Sequence, residues 1–328
     1  MTISGTEKLR RFYDLFSAEH HVLVLINADP DAMASAMAVK RLLWRKVNSV
    51  TISNVNIIKR PDNLTMIRLL RVNLTLVNDI DPDKYDRVVM VDSQPSHHEA
   101  FKNFGIHAVI DHHPDTTNQI PYKDIRPKYG ATASIMTEYL RAAKIKPSTK
   151  LATGLFHAIK TDTSNFARHT LIEDVRAFQF LFRHANPHLA RKIEQAELKL
   201  DFLNYFNKAL EEKRLRRDRI YAHLGPIENP DICVVIADFF MRVNSVTWSI
   251  VSGIYDQKLI IILRNDGLRK DAGQIAQKSF GFSGSAGGHK SMARAEIALD
   301  DLKMRIDPTN EKRLLNWIIR QIERKTNP

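Results

Sequence analysis

Two acids stand within "NADPDAMASAMAVKRLL" (27–43), Asp29 and Asp31, directly after the apolar run "HVLVLI". One acid at such a point is explained as the cap of the helix that "AMASAMAV" begins, because a carboxylate there accepts the free amide hydrogens of the first turn. A second acid asks for another role. "VMVDSQ" puts Asp92 after a second apolar run, "AVIDHHPD" puts Asp111, His112 and His113 after a third, and "GLFHAIKTDTSNF" adds Asp162 after an apolar helix. Oxygen and imidazole donors from four separate segments, brought together above one sheet, are what a divalent-cation site requires.

The elements that must position these residues follow from hydrophobic patterning. Strand-like apolar runs alternate with helical patterns through "HVLVLI", "AMASAMAVKRLLWRK", "SVTISNV", "NLTMIRLLRV", "RVVMVDS", "HHEAFKNF" and "HAVIDHH". Continuous apolar strands between amphipathic helices predict an α/β fold with a parallel sheet covered on both faces. The acids and histidines then sit at the C-terminal strand ends, the edge where open parallel sheets bind ligands. From residue 170 the pattern is almost wholly helical through "EEKRLRR", with an interruption at Asn186-Pro187, where proline opposes continuation. A smaller α/β domain is expected from 220 to 328, with "RIYAHLG", "DICVVIADFF" and "KLIIILRND" as strands and "RVNSVTWSIVSGIY" and "KDAGQIAQKSF" as helices. The expected division is therefore 1–185, a helical connector 186–219, and 220–328.

A length of 328 residues fits two domains, and a net charge of +12 favours polyanionic partners without identifying one. Basic residues gather in "EEKRLRRDR" (211–219) and in the C-terminal "EKRLLNWIIRQIERK", where a solvated helix face is the plain reading. The single cysteine, Cys233, excludes an internal disulfide and a thiolate zinc cluster, and its apolar surroundings mark it as buried filler. No apolar run reaches a membrane span and the N-terminus lacks a signal peptide's apolar centre, so a soluble cytoplasmic protein is expected.

Read together, "NADPDAMAS", "VDSQ", "DHH" and "KTDTSNF" resemble, in order, the motifs of the DHH phosphoesterase family, and "GATASIMTEYL" resembles the segment between the last two. "GSAGGHKSMA" resembles the glycine-rich motif of the DHHA1 domain carried by one branch, which includes nanoRNase/pAp-phosphatases, RecJ-type exonucleases and cyclic-dinucleotide phosphodiesterases. The resemblance implies two metal ions, usually Mn2+, and phosphoester hydrolysis by a hydroxide bridging them. It implies Asp29, Asp31, Asp92, His112 and Asp162 as ligands, Asp111 as the acceptor that orients His112, and His113 as a contact to the scissile phosphate. It also implies Gly287, Gly288 and His289 as substrate contacts, with Arg264 as a further anion contact whose plain alternative is a structural ion pair.

One position departs from the family pattern. Many relatives carry His four residues before the first Asp, where this chain has Leu25, and RecJ-type members carry an acid where it has Asn27. Asn27, His97 and His98 are candidate compensating ligands, the histidines having a surface loop or helix start as their plain reading. The substrates implied are short single-stranded RNA, a linear dinucleotide or a nucleoside bisphosphate such as pAp. The alternatives are hydrolysis of a cyclic or linear dinucleotide (pApA, pGpG), and a nucleotide- or nucleic-acid-binding protein with impaired catalysis. Relatives are often homodimers.

Overall fold

The structure is a computed structural model and describes residues 4–117, 119–167, 170–195, 200–303 and 306–326. The chain forms two compact units, residues 1–197 and 198–328. In the first unit the order is α1 (Gly5–Tyr13), β1 (His21–Ile26), α2 (Pro30–Leu42), β2 (Ser49–Asn54), α3 (Pro61–Leu70), β3 (Thr75–Leu76), β4 (Arg87–Val91), β5 (Ala108–Asp111), β6 (Tyr122–Ile125), α4 (Thr132–Ala142), α5 (Thr149–Asp162), α6 (Ile172–Phe182) and α7 (Pro187–Glu194). The strands pair in the order β3-β2-β1-β4-β5-β6, and every pairing is parallel. Strand order reverses between β1 and β4, so the chain leaves these two neighbours in opposite directions and opens a crevice beyond their C-terminal ends. That is where "NADPD" and "VDSQ" begin.

The alternation of side chains along β1 explains why its run is continuously apolar. Val22, Val24 and Ile26 enter a large core with α2, α4 and α5, whereas Leu23 and Leu25 enter a smaller cluster with Val88, Met90, Phe101 and Val109. Helices cover the first face. The second face is covered instead by loops and short 3-10 turns, including Pro95–His97 and Glu99–Asn103, which occupy the "HHEAFKNF" stretch read as helical. Proline at the start of the first turn and two consecutive histidines leave too short a run to build an α-helix there.

In the second unit α8 (Phe202–Glu212), β7 (Arg214–Arg216), β8 (Arg219–Pro226), α9 (Asp231–Phe240), β9 (Trp248–Tyr255), β10 (Lys258–Asn265), α10 (Ala272–Phe280), β11 (Ser285–Gly288), β12 (Met292–Ala298), α11 (Leu299–Lys303) and α12 (Glu311–Thr326) follow. The sheet order is β11-β12-β10-β9-β8-β7, mixed, with only β8 and β9 parallel among these pairings. Helices α8 and α9 pack against one face and α10 and α12 against the other.

Two segments exchange the secondary structure expected of them. "DICVVIADFF" is helix α9, whose buried positions Ile232, Cys233, Ile236, Ala237 and Phe240 recur at helical spacing, and "TWSIVSGIY" supplies strand β9. The apolar run in α9 is so dense that its period of 3.6 is visible only in which residues are buried. The connector is likewise divided: α7 packs on α3 and α5, α8 packs on β8 and α9, and Arg214–Arg216 forms the edge strand β7 where a helix was expected. Residues 196–199 of that stretch lie outside the described residues.

Candidate metal centre

Asp29 caps α2, its Oδ1 accepting from the Ala32 amide at 2.9 Å. Two residues on, Asp31 turns inward and is buried, its carboxylate accepting from the amides of Thr132 (2.6 Å) and Ala133 (2.7 Å) at the start of α4. The segment that begins "GATAS" therefore acts as the seat of the second acid, because the free amides of a helix N-terminus hold an anion well. The Thr132 hydroxyl donates to Asp92 Oδ1 at 2.9 Å, so one residue fixes two acids.

Asp92 itself has φ +56°, in the left-handed region. Asp tolerates that conformation better than most side chains, yet it remains a local cost, and here it turns the chain at the end of β4 while leaving the carboxylate buried. A comparable device follows Asp162, where Ser164, Asn165 and Phe166 have φ of 49°, 56° and 66° in succession at the end of α5.

His112 lies between these acids. Its Nδ1 is 3.1 Å from the Tyr129 carbonyl, which fixes Nδ1–H as the donor in the neutral ring and leaves the Nε2 lone pair facing the acids. Nε2 is 3.1 Å from Asp162 Oδ2 and 3.5 Å from Asp92 Oδ1. Nε2 is a buried nitrogen with no hydrogen-bond partner. Asp31, His112 and Asp162 offer ligand atoms within 4.8 Å of one another, as do Asp92, His112 and His113.

The electrostatics of the cluster suit a cation. Burial, followed by the charge of Asp162, raises Asp29 to about 6. Burial and the same neighbour raise Asp31 well above the usual carboxylate range, and burial together with Asp31 and Asp29 does so for Asp92. Burial opposes a charged His112, but Asp162 and Asp31 prevail and hold its imidazolium up to about 9. A buried carboxylate cluster with one orphaned imidazole nitrogen fits divalent cations, whose charge would offset this repulsion.

Asp111 differs from its expected role. It is fully buried, and its Oδ1 accepts from His113 Nδ1 at 2.9 Å and from the amides of His112 and His113, so it orients the ring of His113 while Tyr129 orients that of His112. Despite burial, the bonds from His113 and Gln94 hold Asp111 below the usual carboxylate range. Gln94 was not singled out by sequence. Its amide donates to Asp111 Oδ2 (2.6 Å) and the Pro114 carbonyl, and its Oε1 accepts from Thr116, which clasps the DHH loop from the second motif. Thr132 and the Tyr129 carbonyl were missed for the same reason: a backbone donor or acceptor leaves no mark in residue type.

Of the candidate compensating ligands, the two histidines make local contacts. Leu25 is buried in the apolar cluster of the second face, and Asn27 is exposed. His97 Nδ1 accepts from the Gln94 amide, with its ring edge-on to His113 at 5.5 Å between centroids; His98 Nδ1 accepts from the Ala100 amide as a helix-start cap. In the second unit Arg264 Nε bonds Asp238 at 2.6 Å, the structural ion pair weighed as its alternative. Gly287 has open space where a side chain would be. Gly288 has φ +152° and no room for a Cβ against Met292 and Ala293, so it is required by packing. His289 is exposed, and its amide and carbonyl bond Met292 and Gly273.

A parallel sheet with an acid-and-imidazole cluster at its switch point offers a donor set that divalent cations accept. Residues 21–159 match the sequence model of the DHH family, N-terminal domain. It is 35% identical over 300 residues to an uncharacterized protein of Methanocaldococcus jannaschii, covering 91% of this chain; the chain spans 62% of that relative's length. Its fold is similar to that of an exopolyphosphatase-related protein from Bacteroides fragilis (TM-score 0.70, 14% identity, covering 95% of this chain and 97% of the other). It is also similar to exonuclease RecJ bound to manganese (TM-score 0.54, 11% identity, covering 100% and 96%). Among the described residues no helix is long and apolar enough to cross a membrane.

Proposed function

We propose that the protein is a metal-dependent phosphodiesterase acting on short oligoribonucleotides, with a nucleoside bisphosphate such as pAp as a further substrate. The observation that carries the reading is the cluster of buried Asp31 and Asp92 with partly buried Asp29 and Asp162 around the unpartnered Nε2 of His112. These five residues would hold two divalent cations, with Mn2+ as the preferred ion. When bound, the cations would supply the charge that acidifies a water and offsets charge on the phosphoryl oxygens.

The chain's own residues do the rest. The amides of Thr132 and Ala133 and the Thr132 hydroxyl hold Asp31 and Asp92 in place before substrate arrives, so no ordering is needed during reaction. Asp111 anchors His113 through Nδ1, and His113, partly exposed, is left with Nε2 to donate to a phosphate oxygen. The Asp111–His113 pair orients that donor as carboxylates orient working imidazoles elsewhere. The second unit is read as a DHHA1 domain that grips substrate through the amides near Gly287, with His289 beside them.

Incubating the protein with Mn2+ and RNAs of about two to five nucleotides should release mononucleotides, and Asp92→Ala should remove the activity. No product, or Asp92→Ala equal to the wild type, refutes the reading. Parallel cyclic and linear dinucleotides (pApA, pGpG) decide the substrate class. Leu25 is the observation favouring a second reading, a nucleotide binder with weak turnover; tight RNA binding with one metal per chain and no product would establish it.

A further inference from the structure

The far end of the first unit holds a feature that the metal centre does not use. The last turn of α2, the C-terminus of α3 and the first turn of α5 enclose a cavity of about 470 Å³. Its floor is apolar, formed by Met37, Ile52, Val72 and Leu151, and its rim carries Lys40, Arg41 and Arg71. No carboxylate lines it, and none of these three cations forms an ion pair among the described residues. Cations near a helix C-terminus complement the helix dipole and by themselves mean little. Trp44 is different: its indole is 57% exposed at the cavity wall, with the guanidinium of Arg41 at 5.1 Å from its ring and that of Arg45 at 4.3 Å on it.

An exposed aromatic wall, an apolar floor and three cations without acidic partners call for a ligand that joins a flat ring to an anion. Bases stack on tryptophan, and guanidinium forks match phosphate oxygens. The volume lies within the usual range for small-molecule pockets, roughly 300–1,000 Å³, and below what a structured polymer would need. We propose that this cavity is a second, non-catalytic nucleotide-binding site, taking the base against Trp44 and the phosphate among Lys40, Arg41 and Arg71. It lies roughly 15 Å from Asp31, counting ten residues of helical rise along α2 to Arg41. The ligand there would touch the opposite ends of the two helices, α2 and α5, that carry Asp31 and Asp162.

The site is separable from hydrolysis, because it is read in EDTA with AMP as the probe. Trp248 and Trp317, the other two tryptophans, are buried in the second unit, so quenchable emission comes from Trp44. AMP should quench it saturably, with adenosine and inorganic phosphate each at least about tenfold weaker. Trp44→Ala should weaken AMP binding about tenfold by calorimetry, and Arg41→Ala with Arg71→Asn by at least as much, since asparagine keeps the left-handed φ of 58° at position 71. Unchanged circular dichroism and unchanged RNA cleavage in the double variant would show that fold and metal centre are intact. An unchanged AMP affinity in the double variant overturns the proposal. So does inorganic phosphate binding as tightly as AMP, which marks an anion patch, or AMP binding that is lost in Arg264→Ala but kept in the double variant.

Discussion

Replacing Asp29 with asparagine separates what the metal centre costs the fold from what it does. Asparagine caps a helix as well as aspartate does, so the bond to the Ala32 amide survives while the charge is lost. In the metal-free protein Asp29 is raised from 3.8 to about 6, mainly by burial. A folded pKa above the unfolded one means that the folded state keeps its proton longer. Stability is then fully present below about 3.8, falls as the unfolded state ionises first, and stops falling near 6. At about 1.4 kcal/mol for each tenfold change, the loss at neutral pH is about 3 kcal/mol.

Asp29→Asn removes that loss. In EDTA at pH about 7.5 the variant should be up to about 3 kcal/mol more stable than the wild type, or roughly 6–12 °C higher in melting temperature for a unit of this size. At pH about 4 the two should converge. Adding Mn2+ should reverse the order, because only the wild type keeps the full ligand set and gains from binding. Urea titrations of both proteins at the two pH values, with and without Mn2+, measure this. A variant less stable than the wild type in EDTA at neutral pH, or a difference independent of pH, would refute the reasoning.

Mn2+ binding should release protons, since His112, held up to about 9 by Asp162 and Asp31 against burial, must give up its proton to ligate; calorimetry in buffers of different ionisation enthalpy counts them. Affinity should accordingly fall as pH drops through about 9, and in EDTA the stability contributed by His112 should be present below 6.5 and lost as pH rises through about 9. Thr132→Val, which removes the hydroxyl bonded to Asp92 but keeps the volume, should weaken Mn2+ about 10- to 100-fold with little change in melting temperature. Gln94→Ala should lower turnover by a similar factor by releasing Asp111 and the loop at Thr116, and an unchanged rate would remove Gln94 from the site's support. Cys233, whose thiol burial pushes well above the usual range, should resist thiol reagents until the second unit unfolds.

The parts of this protein legible in sequence are those in which one residue type signals one physical demand. Short runs such as "HVLVLI" and "RVVMV", alternating with helical patterns, read as strands buried on both faces, and acids ending them lie at the ligand-binding edge of a parallel sheet. Asp29, Asp31, Asp92 and His112 follow such runs, and Asp162, at the end of α5, lies with Asp31 and His112 in the structure. What was not legible depends on backbone. The amides of Thr132 and Ala133, the Tyr129 carbonyl and the left-handed turn at Asp92 are defined by conformation, and they decide which carboxylate is held by what. The exchange of Asp111 between His112 and His113 is a case of this, since spacing alone cannot say which ring a carboxylate faces. In α9 the difficulty is density: where nearly every residue is apolar, only burial separates a period of two from one of 3.6.

The reversal of strand order between β1 and β4 also divides the ligands. Asp29 and Asp31 belong to the half wound through β1, β2 and β3, whereas Asp92, His112 and Asp162 belong to the half that begins at β4. Neither half has a complete donor set. If the chain were cut in the loop after β3 and the pieces made separately, Mn2+ would act as the glue between them, and reassembly would report metal binding directly.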